Sequence, residues 1–146
     1  MKIFAGSDHA GFGLKEKLIP YLKELGHEVE DKGAFEYNEE DDYPDFIKPV
    51  AEAVSQDRET RGIIIGKSGQ GEAMSANRIK GIRAMVWYGG NMEVLRLSRE
   101  HNDSNILSLG AGLIGGEEVF KAVKLWLETP FADAERHIRR IKKLDA

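Results

Sequence analysis

The run Gly62-Ile63-Ile64-Ile65-Gly66 has no polar side to turn toward water. Consecutive β-branched residues bounded by glycines read as a strand covered on both faces, the environment of a parallel sheet. The rest of the chain alternates in the same sense. Lys2 to Gly6 is a short apolar run, followed by Leu14, Leu18, Leu22 and Leu25 at helical spacing, with Gly26 as the stop and Pro20 as an expected kink. His27 to Asp31 reads as a second strand, and Tyr43-Pro44 opens a helical pattern through Phe46, Val50, Ala53 and Val54. Beyond Gly66 come a short helix to about Ile79, a strand Arg83 to Trp87, a helix Asn91 to Glu100 and a strand Asn105 to Leu109. An amphipathic helix Gly115 to Thr129, stopped by Pro130, and a basic helix Ala132 to Leu144 complete the pattern.

This alternation predicts an α/β fold: a doubly wound, Rossmann-like, five-stranded parallel sheet with helices on both faces and a C-terminal basic helix. At 146 residues it is expected to form one domain, 1–146. Ligands of such sheets bind beyond the carboxyl ends of the strands where strand order reverses, which selects Ser7-Asp8-His9, Lys67 to Glu72, and the loop from Gly110.

Composition narrows the chemistry. With Lys and Arg totalling 21 against 25 Asp and Glu, the net charge of -4 argues against a general nucleic-acid binder. The absence of cysteine excludes disulfides, thiolate metal sites and a cysteine nucleophile. MKIFAGSDHAG is not a signal peptide, and no apolar run approaches a membrane span, so the expected address is the cytosol. Gly33 to Asp42, with Glu39-Glu40-Asp41-Asp42 in a row, reads as a solvated acidic loop.

GKSGQGE leaves the buried strand and enters a helix, so its glycines let backbone N–H groups converge on an anion or a developing oxyanion; a tight structural turn explains it equally well. It is not a Walker loop, because Lys67-Ser68 precedes Gly69 and Gly71. Glu72 alone would only complement the helix dipole, and Asp8 and His9 alone would be turn and cap residues. Together, a carboxylate above converging donors is what proton abstraction beside a carbonyl requires, and the helix start favours its ionised form without a large pKa rise. Arg136 and Arg140, four residues apart, present two guanidinium groups on one helical face, suited to one phosphate or to plain solvation. His101-Asn102 closes a helix, where a histidine also serves the helix C-terminus. Trp87, Tyr88, Met92, Leu95 and Leu97 offer apolar surface for self-association.

GSDHAGFGLK, DDYPDF, GKSGQGEAMSANRIKGIRA, REHNDSNILSLG and ERHIRR, in this order, make the chain resemble the type B ribose-5-phosphate isomerases and their galactose-6-phosphate isomerase relatives over nearly its whole length. The resemblance implies an aldose–ketose isomerase of a phosphorylated sugar, working through a cis-enediol without metal or cofactor, in a homodimer or higher oligomer whose sites lie between subunits. It implies that Glu72, Asp8, His101 and Ser68 serve catalysis. His9, Arg136 and Arg140 would hold phosphate, Asp8, Tyr43 and Asn102 would meet sugar oxygens, and Lys67, Gly69 and Gly71 would line the oxyanion loop. Many members carry a cysteine base where this chain has Gly66; GKSGQGE is similar to a second branch whose base is the later glutamate. Lys67 replaces a glycine of that branch, and Gly112 stands where members usually carry an arginine. Ribose 5-phosphate is therefore the expected substrate, with a hexose 6-phosphate, or non-catalytic sugar-phosphate binding, as the alternatives.

Overall fold

A computed structural model describes residues 1–146. Its strands are β1 (Lys2–Ser7), β2 (Glu28–Asp31), β3 (Arg61–Gly66), β4 (Ala84–Trp87) and β5 (Ile106–Gly110). The helices are α1 (His9–Glu24), α2 (Pro44–Gln56), α3 (Gln70–Ala76), α4 (Glu93–Asn102), α5 (Glu118–Glu128) and α6 (Glu135–Lys142). All strand pairs are parallel, in the order β2-β1-β3-β5-β4. Every strand and helix expected from the periodicity is present.

The isoleucines of β3 explain the two-layer core. Side chains alternate across a strand, so Ile63 and Ile65 join Leu18, Leu22, Trp87, Leu95 and Trp126 on one face, while Ile64 joins Phe4, Ile47, Val50 and Ile106 on the other. Register aligns Ser7 with Ile65, and Gly66 with Gly110, so the loops leaving β1, β3 and β5 emerge side by side. At Gly11 a side chain is sterically excluded: a Cβ would lie 2.5 Å from the carbonyl oxygen of Ile65, and its absence lets the first turn of α1 press against the end of β3.

Several expectations change. Helix α1 begins at His9 because the Asp8 carboxylate caps it, accepting from the N–H of Ala10 at 3.0 Å and of Gly11 at 3.2 Å. The helix continues through Pro20, which sits on its exposed side where water can hydrate the carbonyl left without a partner. Helix α5 starts at Glu118, after turns that carry the chain away from Gly110, and α6 is confined to Glu135–Lys142. The anticipated association surface is partly interior: Trp87 is 2% and Leu95 0% exposed, packed against α5, leaving Tyr88 outside and Met92 and Leu97 half-buried. Edge strand β4 gains that cover because the loop after it folds α4 back over the sheet. No helix is long and apolar enough to cross a membrane.

Candidate active site

Glu72 is the third residue of α3, and its carboxylate turns back under the helix against the end of β3. A Cβ on Gly66 would overlap the carboxyl group, so the strand's terminal glycine makes room for it. Glu72 is 5% exposed, and its Oε1 is buried without a hydrogen-bond partner. Burial raises its pKa above 4.5, and the nearby Asp8 charge raises it further, against the opposing pull of the Glu72 and Gly69 backbone amides. The backbone amides at the helix start favour the anion as expected, but desolvation outweighs them, so the net shift is upward.

Asp8 is 7% exposed. Its Oδ1 is committed to the α1 cap, so the residue serves both readings, as cap and as a charge beside Glu72. The GKSGQGE loop wraps this pair. Gly69 adopts a left-handed φ of 79° and its carbonyl accepts from the buried Ser108 hydroxyl at 2.7 Å. Ser68 Oγ accepts from the Gln70 N–H at 3.3 Å. The first intrahelical bond of α3 runs from the Ala73 N–H to the Gly69 carbonyl, leaving the amides of Gln70 to Glu72 without intrahelical partners. Tyr43, at the start of α2, closes the loop from above: a Cβ on Gly71 would lie 2.8 Å from the tyrosine hydroxyl. Lys67 is exposed, without an ion-pair partner, and its stem lies over Gly112: a Cβ there would be 2.9 Å from Lys67 Cγ.

His9 faces the same mouth. Its Nδ1 bonds Asp41 Oδ1 at 2.6 Å, and its backbone N–H donates to the same oxygen at 3.1 Å. This bond raises the imidazole pKa, with burial opposing and Asp8 assisting. Asp41 was invisible in the sequence because it sits within a run of acidic residues; the only local sign was its position before Tyr43-Pro44. Asp8, His9 and Asp41 offer ligand atoms within 4.8 Å of one another, but those of His9 and Asp41 are bonded to each other and Asp8 caps a helix, the arrangement of an ion pair beside a cap.

One chain therefore brings together Asp8, His9, Tyr43, Lys67, Ser68, Gly69, Gly71 and Glu72. It does not bring His101, Asn102, Arg136 or Arg140 to them. Helix α4 runs back toward the amino ends of the strands, where the carbonyls of Asn102 and Asp103 accept from Arg83 Nε at 3.0 Å just ahead of β4. His137 of α6 stacks on His101 with ring centroids 4.4 Å apart, fixing α6 at that end too. Arg136 and Arg140 are exposed there without carboxylate partners. The length of β5 alone separates the two ends by roughly 13 Å.

The profile of the ribose/galactose isomerase family matches residues 3–144. A ribose-5-phosphate isomerase B of Mycolicibacterium paratuberculosis is 39% identical over 142 residues, 97% of this chain and 87% of that protein. The structure of the Clostridium thermocellum ribose-5-phosphate isomerase B superposes with a TM-score of 0.91 at 44% identity, covering 99% of this chain and 95% of that one. The Mycoplasma genitalium ribose-5-phosphate isomerase B with bound ribulose 5-phosphate gives a TM-score of 0.91 at 35% identity, over 98% and 93% of the two chains.

Proposed function

The chain belongs to the ribose/galactose isomerase family, and from that premise we propose that it interconverts ribose 5-phosphate and ribulose 5-phosphate with Glu72 as the base. The observation that carries this reading is the buried Glu72 carboxylate set beside Gly66, with Oε1 unpaired and Asp8 close by.

In the open-chain aldose the C2 proton passes to Glu72, producing an enediolate whose charge develops on O1. Backbone amides of the Lys67 to Glu72 loop and the Ser68 hydroxyl stabilise that oxygen as charge forms. The hydroxyl proton on O2 passes to O1, moving the enediolate charge to O2, and Glu72 then delivers the proton it took from C2 to C1 as the ketone forms at C2. A carboxylate is a weak base; a pKa raised by burial brings it nearer the operating pH and strengthens proton abstraction. Asp8 and Tyr43 meet sugar hydroxyls, and His9 meets the phosphate.

His101, Asn102, Arg136 and Arg140 reach this base only from a second copy of the chain, so the working unit is at least a dimer, with His101 assisting ring opening across the interface. Lys67 supplies phosphate charge from above Gly112, where its stem already lies. The same exchange of charge favours one second reading, a hexose 6-phosphate substrate, whose longer carbon chain sets its phosphate farther from the base.

A coupled assay over pentose and hexose phosphates, run alongside wash-out of deuterium from substrate C2 into solvent, tests both. Turnover of ribose 5-phosphate with C2 exchange that is lost in Glu72→Gln supports the first reading. Turnover of hexose 6-phosphates alone replaces it with the second.

A further inference from the structure

Asp41 belongs to the loop that reads as solvated, yet its side chain is only 8% exposed. The loop's first residues extend the sheet: the Ser7 N–H donates to the Gly33 carbonyl at 2.8 Å, and the Ala34 N–H to the Ser7 carbonyl at 2.7 Å. Lys15, fully buried, ties them to α1 through Asp31 Oδ1 at 2.7 Å and the Ala34 carbonyl at 2.5 Å. The loop then delivers Asp41 to the start of α1, where one oxygen takes both His9 N–H donors. The other oxygen, Oδ2, is buried with no partner.

Pairing with a cation offsets the desolvation of a carboxylate buried in this way. The group in contact that can be that cation is the His9 imidazole. With Nδ1–H donated to Asp41, the remaining donor is Nε2–H, on a ring 30% exposed at the mouth of the site. We propose that Asp41 is a positioning residue that holds the His9 ring by Nδ1 and maintains its positive charge, so that Nε2–H meets the phosphate of the substrate. The inference rests on the reading above that His9 meets phosphate. Asp8 and Glu39 also face the imidazole as negative charges, burial opposes them, and the Tyr37 ring packs edge-on with centroids 6.2 Å apart. The raised His9 pKa means that its charge is complete below the usual value of 6.5 and is lost as pH rises through the folded value.

Asp41→Asn keeps an oxygen acceptor for both N–H groups and removes the charge. In the protein without substrate, the His9 imidazole titration followed by ¹⁵N NMR should have its midpoint above the ordinary histidine value in wild type and lower in Asp41→Asn. The ratio of variant to wild-type KM for ribose 5-phosphate should rise roughly five- to tenfold between pH 6 and 8 and approach one near pH 5.5, with kcat unchanged. The second ionisation of the phosphate is common to both proteins and cancels in the ratio. A KM ratio that does not vary with pH, or an equal His9 midpoint in both proteins, overturns the proposal. So does a wild-type midpoint that is not raised, a measurement that holds even if the variant fails to fold. A midpoint that falls in the variant, together with a wild-type midpoint that ribose 5-phosphate does not move, supports the hold of Asp41 on the ring and overturns the phosphate reading instead.

Discussion

The Glu72 carboxylate fills the volume that a side chain on Gly66 would take: a Cβ there would lie 2.6 Å from Oε2, and closer still to the rest of the carboxyl group. A base at the end of β3 and a base on the first turn of α3 are thus alternatives for one space. Which of the two a chain uses is written jointly at positions 66 and 72.

Gly66→Ala tests that exclusion. The φ of Gly66 is not in the left-handed region, so the backbone accepts alanine and the strain falls on the carboxylate. Turnover should drop by about 10²-fold or more, in line with loss of a general base. The double variant Gly66→Ala/Glu72→Ala should be no slower than Glu72→Ala, because both changes remove one interaction. Steady-state kcat of the three variants checks it, and full additivity would place the base elsewhere.

The environment of Glu72 sets a pH dependence with a definite sign. Its folded pKa lies above 4.5 through burial and the Asp8 charge, so the acid limb of kcat/KM should lie above the ordinary glutamate range. Asp8→Asn removes the second cause while asparagine still caps α1, and the limb should move to lower pH. For stability, a carboxyl with a raised folded pKa favours the folded state when protonated and loses that contribution as pH rises from the unfolded to the folded value. Glu72→Gln cannot ionise, so its Tm should exceed that of wild type at pH 7, and the advantage should vanish below 4.5. Melting curves at the two pH values decide this.

Lys67 gives a prediction about affinity. The residue is exposed without an ion-pair partner, its stem lies beside Gly112, and a charge-assisted bond to phosphate contributes roughly 1.5–3 kcal/mol. Lys67→Ala should raise KM for ribose 5-phosphate by about tenfold or more with kcat little changed, the signature of uniform binding. An unchanged KM would leave Lys67 as a surface cation.

Much of this was legible in the residues. The three isoleucines of β3 required cover on both faces, and that requirement with the alternating periods led to the sheet and to the three exit loops. Glu72 and Asp8 were legible as a pair because their loops leave strands that a parallel sheet sets side by side. The balance of forces on Glu72 was not, since it depends on how deeply the carboxylate folds under Gly66, a tertiary fact. Asp41 was hidden for a different reason: a run of acidic residues has the same composition whether solvated or tucked against a histidine, and only the anchoring through Lys15 and Gly33 distinguishes them. Trp87 and Leu95 misled in the opposite direction, because an apolar edge strand and helix look the same from sequence whether they cover each other or a partner.

The separation of the residues into two ends of the sheet leads to the last prediction. Glu72 lies at the carboxyl end of β3, whereas Arg140 lies on α6, held at the amino ends by the His101–His137 stack. If each site takes its base from one subunit and its arginines from the other, two impaired variants, one in turnover and one in phosphate binding, can restore each other. In a mixed dimer of Glu72→Gln and Arg140→Ala chains, one site combines both defects, while the other pairs an intact Glu72 with an intact Arg140. Random exchange makes half of the dimers mixed, each with one of two sites intact, so activity should recover to about one quarter of wild type. The measurement is turnover at a substrate concentration well below the KM of the Arg140→Ala variant, after co-refolding equal amounts of the two variants, compared with each refolded alone. Sites built within a single chain predict no recovery, since every chain then carries its own defect. Sedimentation of the mixture shows whether dimers have formed, so an absence of recovery in a dimeric sample would remove the shared-site arrangement itself.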